Sequence, residues 1–266
     1  LFASIILAQA DFNVQHVQND IGSSGGTNTS FTPVSSLNNA VALANNNRKV
    51  TAGLNGSSTT LAADDLSGAR VLTATNTLSY YRQSGSSASN MRFNSSIWEY
   101  IGPVSGNNEM IVRGRYVVTL TGGTNSVTRA LSGISNANDC IPFITGINTN
   151  RTSGGADSGT AVAYLENATT LRVQKGTNAN TVTVYITVVE FTGSNWNVLH
   201  GDSGNVSADT GIITLRNNSD GTGTATNLSS WNDAIIFSHH RGDNTNDGTN
   251  QGIEDHWPVM DPGSNN

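Results

Sequence analysis

Three stretches of this chain share one pattern: VSSLNNA (34–40), LSGISNA (131–137) and LSSWNDA (228–234). Each has an apolar residue, Ser, a small residue, a second apolar residue, two mostly polar positions and Ala, and successive starts lie 97 residues apart. A fixed period of this size means one folding unit is used more than once, which rules out most single-copy architectures. A related run, Asn-[Asn/Asp]-[Ala/Cys]-[Val/Ile]-x-[Leu/Phe], recurs at 38–43, 138–143 and 232–237. The 97-residue alignment sets Leu37 and Ile134 at equivalent core positions.

The later parts of the units also match. ADDLSGARVLTATNTLSYYR (63–82) parallels ADSGTAVAYLENATTLRVQK (156–175), and FNSSIWEYIG (93–102) parallels YITVVEFTG (185–193). The second match aligns Trp98-Glu99-Tyr100 with Val189-Glu190-Phe191. DFNVQH (11–16) resembles NWNVLH (195–200), a register that sets Ile5 and Leu7 on Val189 and Phe191.

The units read as β. TVTVYITVVEF (181–191) alternates Val182, Val184, Ile186 and Val188 with Thr and Tyr185, and β-branched residues dominate. ATTLRVQK (168–175), RYVVTLT (115–121) and GIITLR (211–216) are further strands bounded by Gly, Asn, Ser and Thr. The best helix candidate, SSLNNAVALANN (35–46), is matched in its repeat by a segment carrying Pro142, which favours strand there. Short strands with frequent turns predict an all-β fold of tandem β-sandwich repeats, immunoglobulin-like or jelly-roll-like.

The units divide the chain into a closing strand (1–16), repeat 1 (17–110), repeat 2 (111–205) and the opening part of repeat 3 (206–266). LFASIILAQA (1–10) also has the small-x-small ending of a secretory signal, but the repeat accounts for it better. The strands missing from repeat 3 exceed what residues 1–16 replace. This favours a piece of a longer array over completion between subunits by strand addition.

Composition narrows function. A net charge of −6, with 13 basic residues scattered along 266 positions, leaves no phosphate-binding stripe and argues against nucleic acid. No apolar run reaches the length that spans a bilayer, so no membrane insertion is expected. One cysteine, Cys140, leaves no intrachain disulfide, and it reads as a small buried hydrophobe. Titratable residues are sparse, so no catalytic residues are assigned and a non-enzymatic role is expected.

The candidate sites are few. DNTNDGTNQGIE (243–254) offers Asp243, Asp247 and Glu254 as calcium ligands at loop positions 1, 5 and 12, with Gly248 at the turn. Thr245 departs from that pattern, and a polar loop competes with the calcium reading; no other cofactor is implied. His239, His240, Asp255 and His256 bracket the loop as transition-metal candidates. GDSG (201–204) lacks the rest of a serine-protease pattern and reads as a turn. Arg241-Gly242-Asp243 and eight Asn-x-Ser/Thr sequons occur no more often than composition gives by chance. Asp64, Asp65, Asp157 and Glu166 form an acid–base set only if they converge, and their repeat positions suit turns better. Trp98, Phe191, Trp196 and Trp231 read as packing residues. Of adjacent Tyr80 and Tyr81, one must face outward and is available for stacking.

The cassette NATTLRVQKGTNANTVTVYITVVEF (167–191) resembles a β-hairpin pattern of tailed-bacteriophage virion structural proteins, the tail-fibre and head- or tail-decoration types. The resemblance covers about 40 residues well and the copy at 63–102 poorly. It implies a non-enzymatic, oligomeric component on a virion surface. Its partners would be copies of itself, other virion proteins, and host-surface glycan or protein. The alternative is a bacterial extracellular filament or adhesin subunit assembled by strand donation.

Overall fold

The structure, a computed structural model, describes residues 11–21, 25–49, 68–82, 91–149, 160–176, 181–202, 213–228 and 234–239. Among the described residues the regular elements are strands and two 3-10 turns, as the alternation of β-branched residues requires. Six strands come first: β1 (Phe12–Ile21), β2 (Gly25–Ser30), β3 (Ala40–Lys49), β4 (Gly68–Ala74), β5 (Thr77–Arg82) and β6 (Met91–Tyr100). Six follow: β7 (Ile111–Leu120), β8 (Ser126–Ala130), β9 (Cys140–Thr149), β10 (Val162–Asn167), β11 (Thr170–Gln174) and β12 (Val182–Glu190).

The two sets pair identically. The first forms sheets β1-β6-β3 and β2-β5-β4, the second β7-β12-β9 and β8-β11-β10, all antiparallel. First pairs with last and second with fifth in each set, the nested winding of a jelly roll rather than an immunoglobulin order. Each sandwich has its own core. Leu78, Phe93 and Ile97 are fully buried in the first, and Leu165, Leu171 and Val184 in the second. Edge pairing of β4 with β9, at Gly68 opposite Ile147 and Ala69 opposite Gly146, joins one sheet of each sandwich into six strands.

Register shows where the 97-residue alignment slips. Ser30 pairs with Thr77 and Ala130 with Thr170; Ala40 pairs with Glu99 and Cys140 with Glu190. From β2 to β3 the copies therefore run 100 residues apart, the spacing of the runs at 38–43 and 138–143. Leu37 stands with Ala137, and Ile134 stands with Val34. The slip arises because apolar residues recur three apart in both loops, at Val34 and Leu37 and at Leu131 and Ile134. Even the β-bulges repeat: one extra residue at Asn45 and Thr145, another at Thr73 and Glu166.

Residues 12–16 also differ from expectation. They lie in β1, which opens the first sandwich beside β6, with Phe12 opposite Tyr100. They are not a closing strand; the likeness to 195–200 joins part of β1 to a segment that is strand at His200 alone. Residues 1–10, with Ile5 and Leu7, lie outside the described residues. After β12 the described chain forms the two-residue ladder of β13 (His200–Gly201) with β14 (Leu215–Arg216), a bridge from Arg216 to Ala225, and an extended segment at 234–239. Of the strand expected at 211–216, the described part pairs at Leu215–Arg216, and no third sandwich forms among the described residues.

The aligned acids Glu99 and Glu190 explain the crossing between sheets. Each lies at or next to the end of the last strand of its sandwich, buried to 3% and 1% exposure. Glu99 Oε1 accepts from the Ser35 N–H; Glu190 Oε1 accepts from Ser135 and Asn136 N–H at 2.9 and 2.7 Å. These loops lead into the 3-10 turns Leu37–Asn39 and Ala137–Asp139, capped by the side chains of Ser36 and Asn136. Arg113 pairs with Glu190 Oε2 at 2.5 Å, while Asn13 Nδ2 donates to Glu99 Oε2 at 3.4 Å. A buried carboxylate is tolerated only with such partners. Replacing Glu190 by Ala orphans two loop N–H groups and the Arg113 charge, and is expected to cost about 3–5 kcal/mol in urea unfolding. Glu166→Ala, breaking a half-exposed pair with Arg172, should cost less, about 1 kcal/mol.

Candidate functional site

The faces of β1-β6-β3 and β7-β12-β9 that point away from their own cores are apolar at one end. The first sandwich presents Phe12, Val14, Val41, Leu43, Trp98 and Tyr100. By strand register the second presents the matching Met110, Val112, Ile141, Phe143, Val189 and Phe191. Eleven of the twelve pack into one cluster between the sandwiches; Val14, 44% exposed, is left outside it. Edge-to-face ring contacts run through it, with Phe12 to Tyr100 at 5.6 Å, Phe12 to Trp196 at 6.0 Å and Trp196 to Phe191 at 4.9 Å.

Polar contacts fix the same junction. Arg115 on β7 donates to the carbonyls of Leu37 and Ala40, both at 2.8 Å. The linkers that follow β6 and β12 lie side by side: Gly193 N–H donates to Glu109 O and Asn195 N–H to Asn107 O. The Glu109 carboxylate accepts from Ser105 N–H and Thr192 Oγ1. On the outer face of the joined sheet, Tyr81 and Tyr185 stack at 5.6 Å and 12°. They lean together over the short row of Ala69 and Gly146. A Cβ on Gly146 would overlap Ala69 Cα and Gly68 O, so glycine permits the approach of β4 to β9.

A cleft of about 450 Å³ opens beside the junction, within the range of ligand sites. Val14 and His16 of β1, Ser96 and Trp98 of β6, and the segment 235–239 form its walls. His16 Nδ1 and Ser96 Oγ are hydrogen-bonded at 2.9 Å. Phe237 meets Phe143 edge-on at 4.8 Å, and Ile144 N–H donates to His239 Nε2 at 3.5 Å. In the sequence Trp98 reads as packing and His16, through its alignment with His200, as architectural, while nothing singles out Ser96, Glu109 or Arg115. The readable signal was Val14 and Val41, Trp98 and Tyr100 at alternate positions that already had a filled inner face.

The acidic and histidine candidates do not come together among the described residues. Asp243, Asp247 and Glu254 lie outside them, as do His240, Asp255, His256, Asp64, Asp65, Asp157, Trp231 and the Ser203-Gly204 half of GDSG. His239 lines the cleft. Glu166 pairs with Arg172 at 2.5 Å across its own hairpin, as its turn position suggested. Tyr80 is buried in the first core and Tyr81 faces out, stacked on Tyr185 rather than free. Cys140 is buried, and burial pushes its thiol up to about 12, so it is inert at neutral pH. No described group holds three or more side chains suited to a metal.

No family model matches the chain, no curated protein is similar to it, and no solved structure matches its fold. Among the described residues no helix is long and apolar enough to cross a membrane.

His200 docks the segment after β12 onto the second sandwich, its Nε2–H donating to Asn138 O at 3.0 Å. Burial holds its pKa below 6.5, opposed by that bond and by the Asp220 and Asp139 carboxylates. The unfolded imidazole therefore takes up its proton first as pH falls, and stability declines below about 6.5 with no change above it. Hydrogen exchange across 213–228 should quicken in that window, and His200→Gln should remove the dependence. Gly146→Ala should destabilise the junction by about 1–3 kcal/mol through overpacking, read as faster exchange in β4 and β9 before either core opens.

Proposed function

We propose that this chain is a non-enzymatic structural component, displayed on the outside of a virion as a decoration or fibre protein. The observation that carries this reading is the junction. Two sandwiches are joined by a shared apolar cluster, an edge pairing and paired linkers, a construction suited to holding two bodies in fixed relation. The buried acids support it: Glu99 and Glu190 accept from backbone N–H groups of neighbouring loops and Glu109 from that of Ser105 in its own linker, a framework role rather than a reacting one. The hairpin cassette in β10–β12 adds the resemblance to phage virion proteins, and an Asn/Thr/Ser/Gly surface stays soluble with few charges.

A filament or adhesin subunit of a bacterial surface is the second reading. It is favoured by the extended segment 234–239, whose sequence repeats that of β3 and β9 without a ladder among the described residues. Such a segment is suited to donation into another sheet.

Antibodies against the purified chain distinguish the two. Immunogold labelling should decorate phage-like particles from the source culture, and the protein should band with them in a density gradient. Labelled filaments on cells would favour the second reading. Protein found only free in lysate would overturn both.

A further inference from the structure

The cleft beside the junction carries an unsatisfied copy of the surface that joins the two sandwiches. In the repeated run, Val41 and Leu43 correspond to Ile141 and Phe143, and these to Ile235 and Phe237. The first two pairs bury one another in the junction. The third reaches the same place, with Phe237 against Phe143, yet Ile235, Ile236 and Phe237 remain 58%, 41% and 40% exposed. Val14, the one junction position left out of the cluster, lines the same cleft. Three consecutive large apolar residues beside an exposed valine form a surface that soluble chains normally cover.

We infer that a second copy of this chain covers it. The 235–237 segment and Val14 of each chain pack against those of the other, in a two-fold dimer. The occupant follows from continuity with the internal junction, where the same register positions of two sandwiches already seal each other. A patch that binds its own equivalent on another chain gives an isologous, closed pair. This deepens the structural reading by naming its self-association surface, and the two fail separately, because particle labelling does not depend on the dimer.

Sedimentation velocity of the full chain, from micromolar to a few hundred micromolar, tests it. The expected species has twice the 27.8 kDa chain mass. Ile235→Asp with Phe237→Asp should weaken association about thirtyfold or more, the effect of losing central apolar anchors. Val14→Glu, on a different strand facing the same cleft, should do the same. Val104→Asp, at a 91% exposed linker position, should leave the dimer unchanged. Circular dichroism melting verifies that each variant keeps its fold, and Val14→Glu decides the matter if the tail variant does not. A monomer throughout the range, open-ended growth beyond the dimer, or variants that dimerise like the parent would each overturn the inference.

Discussion

The fold depends on what happens to the backbone where it passes from one sheet of a sandwich to the other. Those crossing loops, exposed at Ser35, Ser135 and Asn136, turn backbone N–H groups toward buried carboxylates, which are costly without such donors. A carboxylate at the end of the closing strand supplies the acceptor in both sandwiches. Glu99 and Glu190 therefore tie the last strand to the loop before the third, closing a circuit between residues 64 and 55 positions apart. The nested strand order follows: the closing strand must lie between the first and third, where its carboxylate reaches that loop.

The acids differ in how their charge is compensated. Glu190 has a guanidinium partner in Arg113, which stands at a bulge in β7; the corresponding oxygen of Glu99 has the amide of Asn13. The second sandwich thus carries a full ion pair where the first carries a neutral hydrogen bond.

Much of this was legible in the sequence. The all-β character came from the alternation in 181–191, and the Glu99–Glu190 equivalence from Trp-Glu-Tyr set against Val-Glu-Phe. The hairpins of β4–β5 and β10–β11 lie in the register that the match of 63–82 to 156–175 gives, with Leu72 and Leu165 equivalent. The errors have physical causes. The slip at Leu37 came from apolar residues spaced three apart in loops, where no strand period fixes the phase. Residues 12–16 were misplaced because opening and closing strands share the same alternation, and only pairing tells them apart. The junction and cleft were the least legible. Sequence alternation shows that a strand has an apolar second face, but not which surface covers it. Trp98 was therefore read as core without the two cores being distinguished.

The shared junction also has a bearing on how the two halves can change. In a dimer of identical subunits, one substitution alters both sides of the contact at once, so equivalent positions always carry the same residue. Here the twelve positions lie on one chain and vary singly. Their contents show it: Trp98 is matched by Val189, Phe12 by Met110, and Leu43 by Phe143. Bulk missing on one side is present on the other, a division of volume that a symmetric contact between identical units does not allow. Covalent linkage has freed the two faces to become complementary instead of merely alike.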